Sequence, residues 1–460
     1  MITGVVQFFY PDIKRDEIKK YSLLAVAFLF TIGAYWLLRL LKDLVLYKLA
    51  FPTSLGYPSD EGRLWAPVTK AISPFVVLGV VMIYTKLVDM FEKHKLFYII
   101  ATFYTICFSV IGTVLYLQAT HGSEFVGATV LKYTGICNYL LTESLGSVLV
   151  ALFWSFTVSI STTDQAKRAF PFIVAFGQIG SIAGSSLLLI KSLPTWPLFV
   201  VAVSCLIGLV FAIKYLIATT PADQMRSDKE EKKTKPDMFG GIRLLLTQKY
   251  LMGVLVVSTF YEISGTIMDY QMKSQATIIF DEPTFKWFLG IFGVASNGLA
   301  FVLALLGTSA VIKKFGVRVC LQLYPVSCAI SLISLYIYYQ SGYSSPLTLF
   351  WATFSAMMIV KGVSYAVNNP VKEMMYIPTS KDAKFKAKGI IDMLGGRSAK
   401  ATGAQLGGML NVKGNPLASI QNLMVYGSLI SLGIIGVWIL AAFYVGNQNQ
   451  KLVKSGETIG

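Results

Sequence analysis

Apolar runs of about 20 residues, the length that spans a hydrocarbon core, recur along the whole chain. They lie near 21–41, 71–91, 96–118, 137–161, 169–190, 196–219, 250–270, 284–311, 319–340, 346–367, 388–410 and 419–445. A soluble domain carries about 25% charged residues. Here 14% of 460 residues are charged and 55% are hydrophobic, with mean hydropathy +0.62. The expectation is an all-α membrane protein of twelve transmembrane helices with the bilayer as solvent. The run at 388–410 is the least apolar, being rich in Gly, Ala and charge.

A net charge of +16 raises nucleic-acid binding as a reading. That binding needs a continuous basic stripe, and here the cations are scattered between apolar runs. No nucleic-acid partner is expected. Cys107, Cys137, Cys205, Cys320 and Cys328 have no paired spacing, and His94 and His121 are isolated, so no metal site is expected. No phosphate-cradling glycine loop, nucleophile elbow or zinc-helix motif is present. An enzyme is not expected, and neither is a cofactor. Asp12, Asp16 and Glu17 follow a short apolar start, which fits neither a cleavable signal nor a transit peptide. The chain is read as complete, and the lack of a transit peptide favours a bacterial inner membrane.

The most charged stretch, 220–248, reads as a cytoplasmic linker between an N-terminal six-helix bundle (1–219) and a C-terminal one (249–460). With both termini and this linker inside, cytoplasmic loops collect most Lys and Arg, among them Lys93, Lys95, Lys167, Arg168, Lys313 and Lys314. The outside then holds Lys48, Arg63, Lys70, Lys132, Lys191 and Lys413. The positive-inside bias therefore selects cytoplasmic N- and C-termini. The halves also echo each other. TKLVDMFEKHKLF at 85 pairs with SAVIKKFGVRVCL at 309, an offset of 224. DQAKRAFPF at 164 pairs with DAKFKAKGI at 382, an offset of 218. Duplicated six-helix units of this kind build the major facilitator architecture.

A charge at mid-membrane costs about 2.5–3.5 kcal/mol on insertion scales, so each one needs a partner or a wet cavity. Arg39, Lys42 and Asp43 share a face of the first helix, either as a phosphate-facing cationic site with Asp43 as local partner or as an interfacial cluster reaching headgroups. Glu143, in the fourth, has no base within one turn; it either pairs with Lys42 or lies at the membrane surface. Asp269 and Lys273 in the seventh can form an i,i+4 pair, with Glu262 two turns earlier. Arg397 and Lys400 share a face of the eleventh, among glycines that permit close helix approach, and suit a polyphosphate. The bland alternative is an amphipathic helix on the membrane. Gly177, Gly180 and Gly184 read as packing positions only.

On these residues the chain resembles the ATP/ADP translocases of intracellular bacteria and plastids. The most specific stretch is PVKEMMYIPTSKDAKFKAKGIIDMLGGRSAKATGA at 370–404; RLLKD at 39, ESLGSVLVALFWSF at 143 and YEISGTIMDYQMKSQ at 261 add to it. The resemblance implies a major facilitator-type fold and nucleotide transport, with ATP, ADP and phosphate as candidate substrates. It also implies importance for a Lys, two acids and a second Lys, which fall on Lys42, Glu143, Asp269 and Lys400. The chain departs from the family pattern at Leu40 and Leu41, and at Asp269 where Glu is usual. The expected mechanism is alternating access, as a monomer, with Arg39, Lys42, Arg397 and Lys400 attracting phosphates in a midplane cavity. Glu143 and Asp269, with Asp43 and Lys273, serve gating and coupling, the two acids by pairing with those cations. The alternatives are a proton-coupled importer of nucleoside triphosphates or another phosphorylated metabolite, and a membrane interaction protein that no longer transports.

Overall fold

The computed structural model describes residues 12–221, 225, 238–306 and 309–459. Most of the linker expected at 220–248, and the apolar start before Asp12, lie outside them. Among the described residues the chain is helical, with no strand beyond one isolated bridge between Thr379 and Ile459. The principal helices are α1 (Arg15–Leu44), α2 (Glu61–Met90), α3 (Lys93–His121), α4 (Ala128–Ser159), α5 (Thr163–Ser186) and α6 (Trp196–Thr219). Then come α7 (Lys249–Ile279), α8 (Glu282–Leu306) and α9 (Ser309–Gln340), the last broken at Gly316, whose φ of 76° and ψ of 165° leave the helical region. Three further helices each contain a wide π turn. α10 runs through Pro346–Val363, Ser364–Asn368 and Asn369–Met374, and α11 through Lys381–Ile390, Ile391–Gly395 and Gly396–Gly408. α12 runs through Pro416–Asn422, Leu423–Gly427 and Ser428–Ser455.

Local chemistry sets several starts. Thr162 and Gln165 cap α5 reciprocally, Gln165 N donating to Thr162 Oγ1 (3.3 Å) and Thr162 N to Gln165 Oε1 (3.2 Å). Ser345 accepts from Thr348 N (3.2 Å) just before Pro346, which spares α10 a donor it has no use for. Asp281 accepts from Thr284 N (3.1 Å) at the head of α8, and hydrogen bonds from Thr284 hold its carboxyl below the ordinary carboxylate range.

Eleven of the helices among the described residues are long and apolar enough to cross a bilayer, their best windows having mean hydropathies of 1.4 to 2.5. The exception is α11. It is continuous helix from within Lys381–Ile390 to Gly408, over nearly all of the stretch expected at 388–410, but its lysines, arginine and glycines make it less apolar than the rest. A second difference lies at α2. Arg63 and Lys70, read as loop residues, lie inside this helix, and Arg63 is fully buried. The apolar run begins only near 71, so hydropathy hides the first turns.

The described residues group into two compact units. The first takes those within Met1–Gly62, Phe75–Lys233 and Asp281–Gly298; the second takes those within Arg63–Pro74, Thr234–Phe280 and Leu299–Gly460. Each has the same internal ties. In the first, Tyr21, in the second turn of α1, donates its hydroxyl to Ser161 Oγ beyond α4 (3.0 Å). In the second, Tyr250 at the start of α7 donates to Met375 O beyond α10 (2.7 Å). In the first, α5 lies so close on α1 that a Cβ at Gly180 would sit 2.4 Å from Leu29 O. In the second, α11 lies on α7, and a Cβ at Gly403 would sit 2.6 Å from Ile263 O.

A side chain at Gly180 therefore meets backbone, which cannot move aside as a rotamer does. Overpacking costs about 1–3 kcal/mol even where side chains yield. Gly180→Leu is expected to lower the melting temperature of the detergent-solubilised protein sharply. Gly79→Ala on α2, where an added Cβ meets nothing within 4 Å, should leave it unchanged or slightly raised. Equal melting temperatures for Gly180→Leu and the parent would refute the close approach of α1 and α5.

Candidate functional site

Each unit holds its own cluster of charges inside apolar helices. In the first, Lys42 is buried near the end of α1, with 7% of its side chain exposed, and forms an ion pair with Glu143 of α4. The Lys42 ammonium also lies 4.1 Å from the centre of the Tyr139 ring, one turn before Glu143, a cation–π contact added to the ion pair. Asp43 is buried beside it. Arg39, one turn earlier, is half-buried and stacks its guanidinium 4.6 Å from the Trp36 ring. Immediately beyond lies the π turn Val45–Leu49.

In the second unit, Asp269 and Lys273 of α7 pair at 2.7 Å, one turn apart. Lys400 of α11 pairs with Glu262 of α7 at 3.3 Å, with 47% of its side chain exposed against 20% for the acid. The partner of Lys400 is thus Glu262, and Asp269 bonds to its own helix neighbour instead. Glu262 also accepts from the Tyr261 hydroxyl at 2.7 Å. Arg397, one turn before Lys400, is half-buried. The π turn Ile391–Gly395 sits just ahead of both cations, and such turns occur often at functional sites.

Two more cations act on these acids. Lys70 of α2 exerts its charge on Asp269, and Lys361 of α10 on both Glu262 and Asp269. Sequence reasoning missed both: Lys70 by taking it for a loop, Lys361 by not carrying the 218-residue offset from Glu143, which lands on it. The segment at 370–404 also gains a physical account. Lys372 pairs with Asp392 (2.9 Å) and Glu373 with Lys388 (2.6 Å), so two reciprocal bridges stitch the end of α10 to the start of α11.

Chemically, an ammonium already pairing with a carboxylate can exchange it for a phosphate oxygen and so stay paired itself, while the carboxylate it leaves then needs another cation. Two unit charges at 4 Å interact by about 4 kcal/mol at an effective dielectric near 20. That is enough to hold an anion and small enough to release it. A groove of about 410 Å³ between α3 and α6 is a poor rival site. Phe108, Gly112, Tyr116, Trp196, Phe199 and Val200 line it, and no lining residue is charged.

Many helices long and apolar enough to span a bilayer, with ion pairs set among them, define a polytopic membrane protein. Comparison with known proteins makes the class specific. The chain belongs to the TLC ATP/ADP transporter family, whose sequence model matches residues 2–449. It is a nucleotide transporter by family, not an enzyme. The chain is 25% identical to the chloroplastic ADP,ATP carrier protein 2 of Arabidopsis thaliana, over 97% of this chain and 77% of that one. It is 24% identical to ADP,ATP carrier protein 1 of Chlamydia pneumoniae, over 95% and 93%. Among solved structures, the nucleoside transporter NupG superposes with a TM-score of 0.61 at 13% identity, over 93% of this chain and 99% of that one. The D-xylose-proton symporter gives 0.61 at 13%, over 92% and 97%. These likenesses show the fold alone: an all-helical, multi-pass membrane fold.

Proposed function

We propose that this chain exchanges ATP for ADP across a bacterial membrane by alternating access of two six-helix halves in the major facilitator manner. The halves are 1–219 and 249–460, joined by the linker at 220–248, with both termini cytoplasmic and the monomer as working unit, free of nucleic-acid partners. In this reading Arg39, Lys42, Arg397 and Lys400 attract phosphates, while Glu143, Glu262 and Asp269, with Asp43 and Lys273, keep the empty site neutral. The observation that carries it is the pairing of Lys42 with Glu143 and of Lys400 with Glu262: each unit holds in its helices a lysine whose carboxylate a phosphate can replace.

The test is uptake of labelled ATP into proteoliposomes or intact bacterial cells expressing the chain, with and without internal ADP. Exchange is expected: external cold ADP competes, and internal ADP accelerates uptake. Saturable uptake indifferent to internal ADP, with an acid optimum, would instead make it a proton-coupled importer, with the carboxylates as proton carriers. No uptake of any phosphorylated anion by correctly inserted protein would leave a membrane interaction protein that has lost transport.

A further inference from the structure

The two units carry their charges in opposite senses. In the first, α1 bears the lysine (Lys42) and α4 the acid (Glu143). In the second, α7 bears the acids (Glu262 and Asp269). The offset of 218 that relates Asp164 to Asp382 carries Glu143 onto Lys361 of α10, so the counterpart of α4 bears a cation.

Hydrogen bonds fix the register of α10 on α7. Tyr250 bonds to Met375 O (2.7 Å), and 25 residues further along α7 Gln275 bonds to Thr353 Oγ1 (3.1 Å), so the partner has moved 22 residues back. The helices are therefore antiparallel. Lys361, eight residues after Thr353, lies level with Ile267, eight before Gln275. That level falls between Glu262 and Asp269, and the Lys361 charge acts on both. The π turn Ser364–Asn368 follows directly.

We propose that Lys361 is the second counter-cation of the α7 acids: when substrate phosphate draws Lys400 away from Glu262, the charge of Lys361, which already acts on Glu262, balances it. The inference rests on the reading of Lys400 as a phosphate ligand. A carboxylate stripped of its cation inside apolar helices is costly, so without a substitute Glu262 holds Lys400 against the phosphate. Lys361 removes that resistance and acts on substrate affinity through Glu262, as a positioning residue.

The experiment measures KM and maximal rate of ATP/ADP exchange in proteoliposomes for Lys361→Gln, Lys361→Arg, the double variant Glu262→Gln/Lys361→Gln, and Lys400→Gln. Lys361→Gln is expected to raise KM about tenfold, within the roughly 5- to 150-fold range of coupling between sites, with a much smaller change in maximal rate. Lys361→Arg should restore the parent KM. The double variant should bring KM back down, because a neutral amide at 262 no longer needs a cation. A parent-like KM for Lys361→Gln overturns the proposal. So does a double variant as weak as Lys361→Gln, which would make Lys361 a direct phosphate ligand. If Lys361→Gln does not insert, a double variant that inserts and binds like the parent still supports the proposal, and one that binds weakly still overturns it. Unchanged KM in Lys400→Gln sinks the underlying reading instead, and so separates the two failures.

Discussion

Lys42→Ala is expected to lose ATP uptake and, in the same variant, a large share of folding stability. Lys42 is buried and paired to Glu143, whose own side chain is 26% exposed. Breaking a fully buried pair by removing one member costs about 3–5 kcal/mol, and the partial exposure of Glu143 places this pair at or below the low end of that range. The Tyr139 ring under the ammonium loses its contact as well. The double variant Lys42→Ala/Glu143→Ala removes both charges and should recover much of the melting temperature without recovering uptake. That split separates the two roles: stability needs the charges balanced, whereas phosphate binding needs the cation itself. Thermal melting of solubilised protein and ATP uptake read the two effects independently. A double variant no more stable than Lys42→Ala would show that the pair is not what holds α4 to α1, and uptake by either variant at the parent rate would remove Lys42 from the site.

How much of this was legible follows from the range over which sequence patterns act. Hydropathy reports local composition, so runs such as 196–219 stand out as helices without any knowledge of their neighbours. It understates α11, where Arg397, Lys400 and six glycines dilute the apolar signal over helix that the structure shows to be continuous. It also hides the start of α2, where the buried Arg63 donates from its guanidinium to Asn411 Oδ1 and accepts at its carbonyl oxygen from the Tyr270 hydroxyl (3.0 Å). Spacing sees pairs within one helix, which is why Asp269 and Lys273 could be matched at i,i+4. It cannot see across helices. Lys42 with Glu143 was one option among several, and Glu262 stood unassigned although its partner Lys400 was already a candidate. Lys361 was reachable in principle, since the repeat offset points to it, but an inverted charge conceals a duplicated position from any search for like residues.

Lys400→Ala should behave differently from Lys42→Ala, and the difference tests the site more sharply than either variant alone. Nearly half of the Lys400 side chain is exposed, and ion pairs so open to solvent are worth about 0–1 kcal/mol. The variant should therefore insert and melt close to the parent. Its exchange rate at low ATP should nonetheless fall about 10- to 100-fold, the loss expected when a charge-assisted bond of about 1.5–3 kcal/mol is removed. Glu262→Gln makes the complementary prediction. An amide cannot hold Lys400 as a carboxylate does, so phosphate meets less competition and KM for ATP falls, while release slows and the maximal rate falls with it. Tighter binding with slower turnover is what an exchangeable pair predicts and what a merely structural pair does not. Were Glu262→Gln to leave both parameters unchanged while Lys400→Ala abolished exchange, Lys400 would bind phosphate alone and the carboxylate would play no part in the cycle. Were Lys400→Ala to exchange like the parent, the phosphates would have to be held by other cations of the same unit, with Arg397, one turn away on the same helix, the first to replace.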